Sequence, residues 1–549
     1  MVRLKYVLSS RLWWGDFFSS LNFIFMSANA FNSIMTTRPG RNRFNLSHDV
    51  KMSLKMGGLY PTACIDVLPG DVFNIGVENM LRFAPLIAPV MHDIDVCTYW
   101  FFVPNRLIWP NWEDFITGVD TDLVPPYFNW TGDVEENRSL GVYMGLPNGI
   151  PDTMNVDAMP FAAYYLIYDE WFRDQNLIDE KFDMLVDGNN SANYTAKVQG
   201  FPLFRAWKHD YFTSALPFAQ KGDTVTLPLV EDTNVPVGLS GVNDQSFWRL
   251  SVDGTIYTPG GDLQTAATTG ETHAGGTDVF FDPNGTLSVN INEDAVSINT
   301  LREAFRMQEF LELDAVGGSR YTETIYAHFG VKSKDSRLQR PELVGTAKGK
   351  MVISEVLQTA TAVDNAAAGQ NTPVGNMAGH GISVNGGSGF NYRATEHGWL
   401  IGLINVQPRA AYQNGLPRKF SRVAREDYFW PKFAHIGEQE VKMKELYVGA
   451  ADPDGLFGYI PRYSEYRYES NRVSGEMQSE LAHWHLGRIF TTEPALNEEF
   501  IECDPSARIF AVLYDSGGSP LDDPDQIYAH IFNNVHASRL IPKYGKPML

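Results

Sequence analysis

The sequence is expected to fold as a mainly β protein, a single β-sandwich whose sheets are assembled from distant stretches of chain. Three observations carry this. Runs in which β-branched and aromatic residues alternate with period two occur near both ends. Long stretches rich in turn-forming residues separate those runs. The composition, 44% apolar and 13% aromatic over 549 residues, is ample for a large core and is not that of a disordered chain. Length alone would allow roughly three to four domains. Large sandwiches with long insertions break that rule, so we read residues 1–56 as an N-terminal arm and 57–549 as one domain.

The first 35 residues are ambiguous. Arg3, Lys5 and Arg11 precede an apolar stretch that ends in Ser27-Ala-Asn-Ala30, the outline of a secretory signal with an Ala-x-Ala cleavage site. Gly15, Asp16, Ser19, Ser20 and Asn22 interrupt that stretch. An ordered arm, or synthesis starting at Met26 or Met35, are the competing readings. Elsewhere no stretch reaches the roughly 18–20 apolar residues of a membrane span. Residues 36–56 read as a basic, turn-rich arm, because Arg38, Arg41, Arg43, Lys51 and Lys55 face a single acid, Asp49. Such an arm is either a solvated terminus or an arm on the inner face of a shell, near nucleic acid.

Strand patterning follows. Ala63, Ile65 and Val67 alternate, Leu68-Pro-Gly-Asp71 makes a turn, and Val72-Phe-Asn-Ile75 resumes. Next, Ile94, Val96, Thr98, Trp100 and Phe102 point one way and Asp95, Cys97, Tyr99 and Phe101 the other. Both sets are bulky, so this strand is expected to be covered on both faces. Residues 119–160, with Pro125-Pro126, Gly132, Pro147 and Pro151, read as a loop insertion. A helix should follow, since Phe161, Tyr164, Tyr165, Tyr168, Trp171 and Phe172 recur at three and four, with Pro160 at its start.

Residues 231–300 change character. They hold ten acids and one base, Arg249, with many Gly, Thr and Asn. Turns and short strands are expected there, as a surface insertion that is either a functional protrusion or a plain elaboration. A helix then starts near Thr300, where Thr300-x-x-Glu303 fits a capping box and Leu301, Phe305, Phe310 and Leu311 form an apolar stripe. Residues 358–390, rich in Ala, Gly, Asn and Thr and ending in Gly386-Gly-Ser-Gly389, read as a flexible surface loop. Leu400–Val406 and Ala507–Tyr514 return to strand character. Strands at both ends with long insertions between them suit a jelly roll, whose Greek-key connections pair non-neighbouring strands.

Charge and chemistry narrow the function. Acids number 65 and bases 44, a formal charge of −21, so the whole chain does not attract a polyanion. If it encloses nucleic acid, something else must neutralise most of the phosphate. The three cysteines, Cys64, Cys97 and Cys503, are too few for a disulfide framework and lack metal-ligand spacing. There is no Gly-x-Ser-x-Gly elbow. Gly345-Thr-Ala-Lys-Gly-Lys350 is one residue short of a phosphate loop and is followed by Met351 rather than Ser or Thr. His483-Trp-His485 lacks a third metal ligand, and Asp452-Pro-Asp-Gly455 lacks the rest of a calcium loop. No catalytic, cofactor-binding or metal-ligating residue is assigned, and a structural protein is expected rather than an enzyme.

A dozen segments, in order, carry a family resemblance. They include Asn45-Leu-Ser-His48, the block from Arg82 to Gly118 with Phe101-Phe-Val-Pro-Asn-Arg106, Tyr168–Asn176 and Asp210–Gly222. Further on come Gly318-Ser-Arg-Tyr-Thr-Glu323, Tyr428-Phe-Trp-Pro431, Gly458–Arg467 and Leu540-Ile-Pro-Lys-Tyr-Gly545. Together they resemble the major capsid proteins of the small single-stranded DNA phages, the Microviridae, in the gokushovirus-like branch. The resemblance thins at 231–300 and 358–390. It implies an eight-stranded jelly roll of viral capsid type with long loop insertions and a few helices. It further implies a T=1 icosahedral shell of identical subunits around circular single-stranded DNA, assembled in the host bacterial cytoplasm. A small basic DNA-packaging protein and other virion proteins would be partners. An insertion placed like 231–300 would form a threefold protrusion, a candidate for contact with a host-surface receptor. On this reading Arg41, Arg43, Arg539, Lys543 and Lys546 are candidates to face the DNA. Tyr459, Arg462, Tyr463, Tyr466 and Arg467 are candidates for a subunit interface, or else for ordinary packing. The competing class is a secreted carbohydrate-binding or carbohydrate-cleaving β-sandwich protein using the loops at 119–160 and 231–300.

Overall fold

The structure, a computed structural model, describes residues 40–132, 137–148, 153–222, 298–318, 320–332, 334–357, 377–511 and 525–544, with short strands between 248 and 281. The first five strands are β1 (Asn42–Asn45), β2 (His48–Leu54), β3 (Tyr60–Val67), β4 (Val72–Phe83) and β5 (Ile94–Pro104). A small hairpin pairs β6 (Tyr127–Trp130) with β7 (Met154–Asp157). The acidic insertion contributes β8 (Trp248–Leu250), β9 (Ile256–Tyr257), β10 (Gln264–Thr265), β11 (Thr272–Ala274) and β12 (Thr277–Phe281). Then come β13 (Glu342–Lys350), β14 (Val352–Leu357), β15 (Met377–Arg393) and β16 (Gly398–Pro408). A second small hairpin joins β17 (Glu438–Lys442) to β18 (Leu456–Pro461), and β19 (Ile527–Arg539) closes the chain's strands.

Two antiparallel sheets face each other. The first runs β1-β19-β4-β15-β14, with β2 also on β19; the second runs β13-β5-β16-β3. Successive strands cross between the sheets: β3 lies in the second, β4 in the first and β5 in the second. Likewise β15 lies in the first, β16 in the second and β19 in the first. That exchange is the jelly-roll connectivity. Among the described residues the two sheets hold six and four strands rather than eight in all. Their facing sides share one core, in which Phe73, Ile75 and Leu81 of β4 and Ile531 and Val535 of β19 meet Trp100 and Phe102 of β5 and Leu400 and Ile404 of β16.

The second sheet is covered on its other side too. Phe101, Val103, Ile401 and Leu403 pack under Trp109, Phe128, Trp130 and the helix Met159–Trp171. Hence β5 is buried on both faces, as its doubly bulky pattern predicts. Buried polar groups fix its surroundings. The Asp95 carboxylate sits between the Lys208 and Lys348 ammoniums. Burial alone would raise its pKa, but the two lysines outweigh that and hold it below the usual carboxylate range. Asn405 donates to the carbonyls of Gly57 (2.9 Å) and Gly58 (3.0 Å), which sets where β16 lies against the start of β3.

Four expectations need correction. Residues 42–54 are strand, not a turn-rich arm: Phe44, Val50 and Met52 face inward while Arg43, Asp49 and Lys51 face water, and the exposed charges hid that alternation. The span 119–160 is largely built into the helical layer, where Phe128, Trp130 and Leu140 are fully buried. The later part of 358–390 is the long strand β15. Its glycines mark close approach rather than turns: a Cβ on Gly379 would lie 2.5 Å from the Ala88 carbonyl oxygen, and one on Gly381 2.6 Å from the Phe83 ring. Finally, Ala507–Phe510 is a turn that ends in a bridge from Phe510 to Leu86, because Ile509 and Phe510 plug the sandwich core instead of extending along an edge. The short strands expected in 231–300 are present as an antiparallel sheet ordered β10-β11-β12-β8-β9. The proposed signal or alternative start in residues 1–35 lies outside the described residues, as do 358–376 and 512–524.

If the helical layer is integral to the fold, Phe101→Ala should destabilise the chain as much as Trp100→Ala on the opposite face. Each is expected to cost about 3–5 kcal/mol in urea unfolding. A neutral Phe101→Ala would mean that the layer is loosely attached.

Candidate nucleic-acid and subunit interfaces

The candidate DNA-facing arginines converge at one end of the first sheet. Asn42 of β1 pairs with Arg539 of β19, and the Leu68–Asp71 turn sits beside them with Gly70 at φ 87°. The Arg41 guanidinium donates to the carbonyls of Gly70 (2.5 Å) and Ser538 (3.0 Å). Arg539 lies 3.0 Å from the Asp71 carboxylate, donates to the Asp66 carbonyl (2.6 Å) and covers the Phe73 ring. Asp71 is only 1% exposed. Burial pushes its carboxyl up, while the Leu68 N–H and Arg539 pull it down. Arg539 is therefore a structural counter-ion that locks a turn to the last strand. Arg41 joins the same lock but stays exposed, as do Arg43 and Lys543. Asn42 donates to the Ile541 carbonyl (2.8 Å), so the tail bearing Lys543 runs beside β1. Lys546 lies outside the described residues.

The candidate interface segment is divided. Tyr459 sits in β18, where its backbone exchanges two 2.8 Å hydrogen bonds with Leu216. Tyr463, 3% exposed, packs inside the subunit with φ 64°. Its ring lies 5.1 Å from Phe429 and 6.0 Å from Tyr466, and its hydroxyl donates to the Tyr428 carbonyl (3.2 Å). Arg462 stacks on the Tyr463 ring at 5.0 Å. Arg422 lies 4.5 Å from the Tyr466 ring and 3.6 Å from Glu465. Tyr463 is thus an internal anchor that holds the loop 418–433 against this segment. Tyr466 and Arg467 remain exposed beside it.

Two surfaces escaped the sequence reading. The helices Ile298–Gly317 and Tyr321–Phe329 form a hairpin whose apolar stripe is not buried: Phe305 is 64% exposed and Phe310 and Phe329 are also open. The loop 418–433 exposes Phe420, Val423, Tyr428, Phe429 and Trp430 among five basic residues. The signal in the sequence was the density of Arg, Lys and aromatic residues in Arg418–Phe433, which a search for motifs passes over. The hairpin reaches the chain just after this loop, where Glu312 lies against Gly437. Burial and the nearby Glu312 push the Glu438 carboxyl up to about 7, and Arg467 offsets only part of that.

The motifs set aside earlier have structural roles. Gly345–Lys350 lies within β13. The Asp452–Gly455 segment is a turn in which Asp454 takes Lys442 (3.0 Å) and Lys444 (2.6 Å). His485 is buried with Nε2 2.7 Å from the Met477 carbonyl. Among the described residues no group of three or more His, Cys, Asp or Glu could hold a metal ion, and no helix is long and apolar enough to cross a membrane.

A layered jelly roll with wide exposed aromatic faces fits a structural, shell-building class of protein. The chain belongs to the phage capsid family: the family model described as "Capsid protein (F protein)" matches residues 32–549. It is 36% identical to capsid protein VP1 of Bdellovibrio phage phiMH2K, covering 94% of this chain and 97% of that protein. It is 33% identical to capsid protein VP1 of Chlamydia phage 1, over 95% and 98%. With capsid protein VP1 of Spiroplasma virus 4 it shares 29% identity, over 93% and 95%. Its role is that of a major capsid protein, a structural component of a multimeric shell, and its place is the virion. The family membership favours the capsid reading over the carbohydrate-protein one.

Two outcomes test this geometry. Arg539→Met strands a buried carboxylate and should cost about 3 kcal/mol, with Asp71→Asn in the same chain restoring most of it; equal stability of wild type and the single variant would contradict the lock. Glu438 has a raised folded pKa, so its contribution is present below its ordinary value of 4.5 and is lost as pH rises through about 7. Glu438→Gln should therefore match wild type in Tm at pH 4 and exceed it at pH 8.

Proposed function

We propose that the chain forms a T=1 icosahedral shell around circular single-stranded DNA, assembling in the bacterial cytoplasm. The observation that carries this is the nearly full-length likeness to capsid proteins VP1 of three small phages. The charge of −21 supports a division of labour in which a small basic protein neutralises most of the genome's phosphate. Other virion proteins complete the particle. Exposed Arg43 and Lys543, at the same end of the first sheet, are the chain's own DNA-facing candidates, with Arg41 beside them. They would act on the backbone without a sequence code. Tyr459, Arg462, Tyr466 and Arg467 would lie at a subunit boundary. The acidic insertion 231–300, with its own small sheet, would be a threefold protrusion that meets a host-surface receptor.

The test is sedimentation and negative-stain microscopy of the chain expressed with its partner proteins, with nuclease-protected DNA assayed in the same fractions. Uniform icosahedral particles carrying protected single-stranded DNA are expected. Soluble monomers without DNA would overturn the proposal. In the particles, Arg43→Glu with Lys543→Glu should lower protected DNA per particle; unchanged DNA content would remove both residues from the inner surface.

A further inference from the structure

The hairpin of Ile298–Gly317 and Tyr321–Phe329 contradicts its own pattern. An amphipathic helix buries its apolar stripe unless something outside covers it. Here Phe305, Phe310, Val316, Tyr321 and Phe329 are all at least half exposed. The two helices carry five acids, Glu303, Glu309, Glu312, Asp314 and Glu323, against two bases, Arg302 and Arg306. The adjoining segment 418–433 is the converse: five bases, Arg418, Lys419, Arg422, Arg425 and Lys432, against two acids. It too exposes bulky side chains, with Val423 at 95%.

The bases divide by role. Arg418, Lys419 and Arg422 pair with Glu445, Glu469 and Glu465 of their own subunit and fasten the loop. Arg425 is 80% exposed, with a 3.9 Å contact to its neighbour Glu426 and the Trp430 ring 5.2 Å from its guanidinium, and Lys432 is exposed as well. On the hairpin, Glu303 is exposed, and Glu309 is exposed with Arg306 as its partner.

We propose that this composite face is a subunit–subunit contact of the shell, in which the acidic, aromatic hairpin of one copy meets the basic, aromatic loop 418–433 of a second copy. It rests on the reading that this chain assembles with copies of itself. Charge complementarity selects the occupant. Each half carries what the other lacks, and both present the aromatic and arginine side chains that anchor protein interfaces. Nucleic acid fits less well, because the acidic hairpin beside the loop repels phosphate. The contact is also held rigid on the loop side, where Tyr463 anchors Phe429 and the loop backbone from within, so little ordering remains to be done on association.

The experiment is a charge exchange in the full chain expressed with its partner proteins. Glu303→Lys with Glu309→Lys, or Arg425→Glu with Lys432→Glu, should each abolish sedimenting particles while the soluble chain keeps its wild-type circular dichroism. All four changes together should restore particles. Unaltered assembly with either pair alone, or normal particles that have lost only DNA, would overturn the proposal. Failure of the fourfold variant is read against a second measurement: chains bearing Phe310→Cys and chains bearing Val423→Cys are co-assembled and treated with a bis-maleimide. A crosslinked heterodimer supports the contact and its absence contradicts it. If wild-type chain itself forms no particles, the assembly reading fails instead, so the two failures are distinguishable.

Discussion

Strand β5 has water on neither side, and the rest of the subunit is arranged around that constraint. A strand buried on both faces must have a layer above and a layer below. Trp100 and Phe102 demand the first sheet, while Phe101 and Val103 demand the helix Met159–Trp171 and the β6–β7 hairpin. Its neighbour β16 shares the constraint, with Leu400 and Ile404 on one side and Ile401 and Leu403 on the other. The backbone of a middle strand cannot reach water, so its polar groups must be satisfied by its neighbours. That holds β3, β16, β5 and β13 in fixed pairing, with register shifts at Leu343–Gly345 and Gly402–Leu403. Three layers locked to a common sheet make a stiff slab, and stiffness is what a shell subunit needs if its edges are to meet identical edges at fixed angles.

Charge serves the same rigidity. Lys208 and Lys348 both hold Oδ2 of Asp95, the one carboxylate that β5 carries into the interior. Asp71 with Arg539 joins an early turn to the last strand, across nearly the whole length of the chain. Such closures hold distant segments of a jelly roll together, where no local connection could. Of the formal charge of −21, 231–300 carries −9, from ten acids and one base.

Much of this was legible in the sequence, and the failures have physical causes. Period-two alternation identified β5 and its two faces because burial on both sides leaves a pattern no polar face can blur. The helix at Met159–Trp171 was legible from aromatic spacing and Pro160. β15 was not, because its glycines serve close packing against Ala88 and Phe83, and glycine in isolation reads as turn. β1 and β2 were obscured by the exposed charges of an edge region that pairs with β19, a partner nearly five hundred residues away. Candidate surface residues were harder still. Arg539 reads as a free cation until Asp71 is placed beside it, and Tyr463 is open to interface or internal packing until its ring is found inside the subunit. The hairpin stripe was legible as the apolar face of a helix, but its exposure was not, because periodicity does not report what packs against a face.

The most direct test of the account is electron cryomicroscopy of particles purified with this chain at side-chain resolution. The expected map shows a closed icosahedral shell one subunit thick, in which this chain supplies the continuous wall and its three-layer slab is intact. A map in which another protein forms the wall and this chain sits on it as an appendage would contradict it.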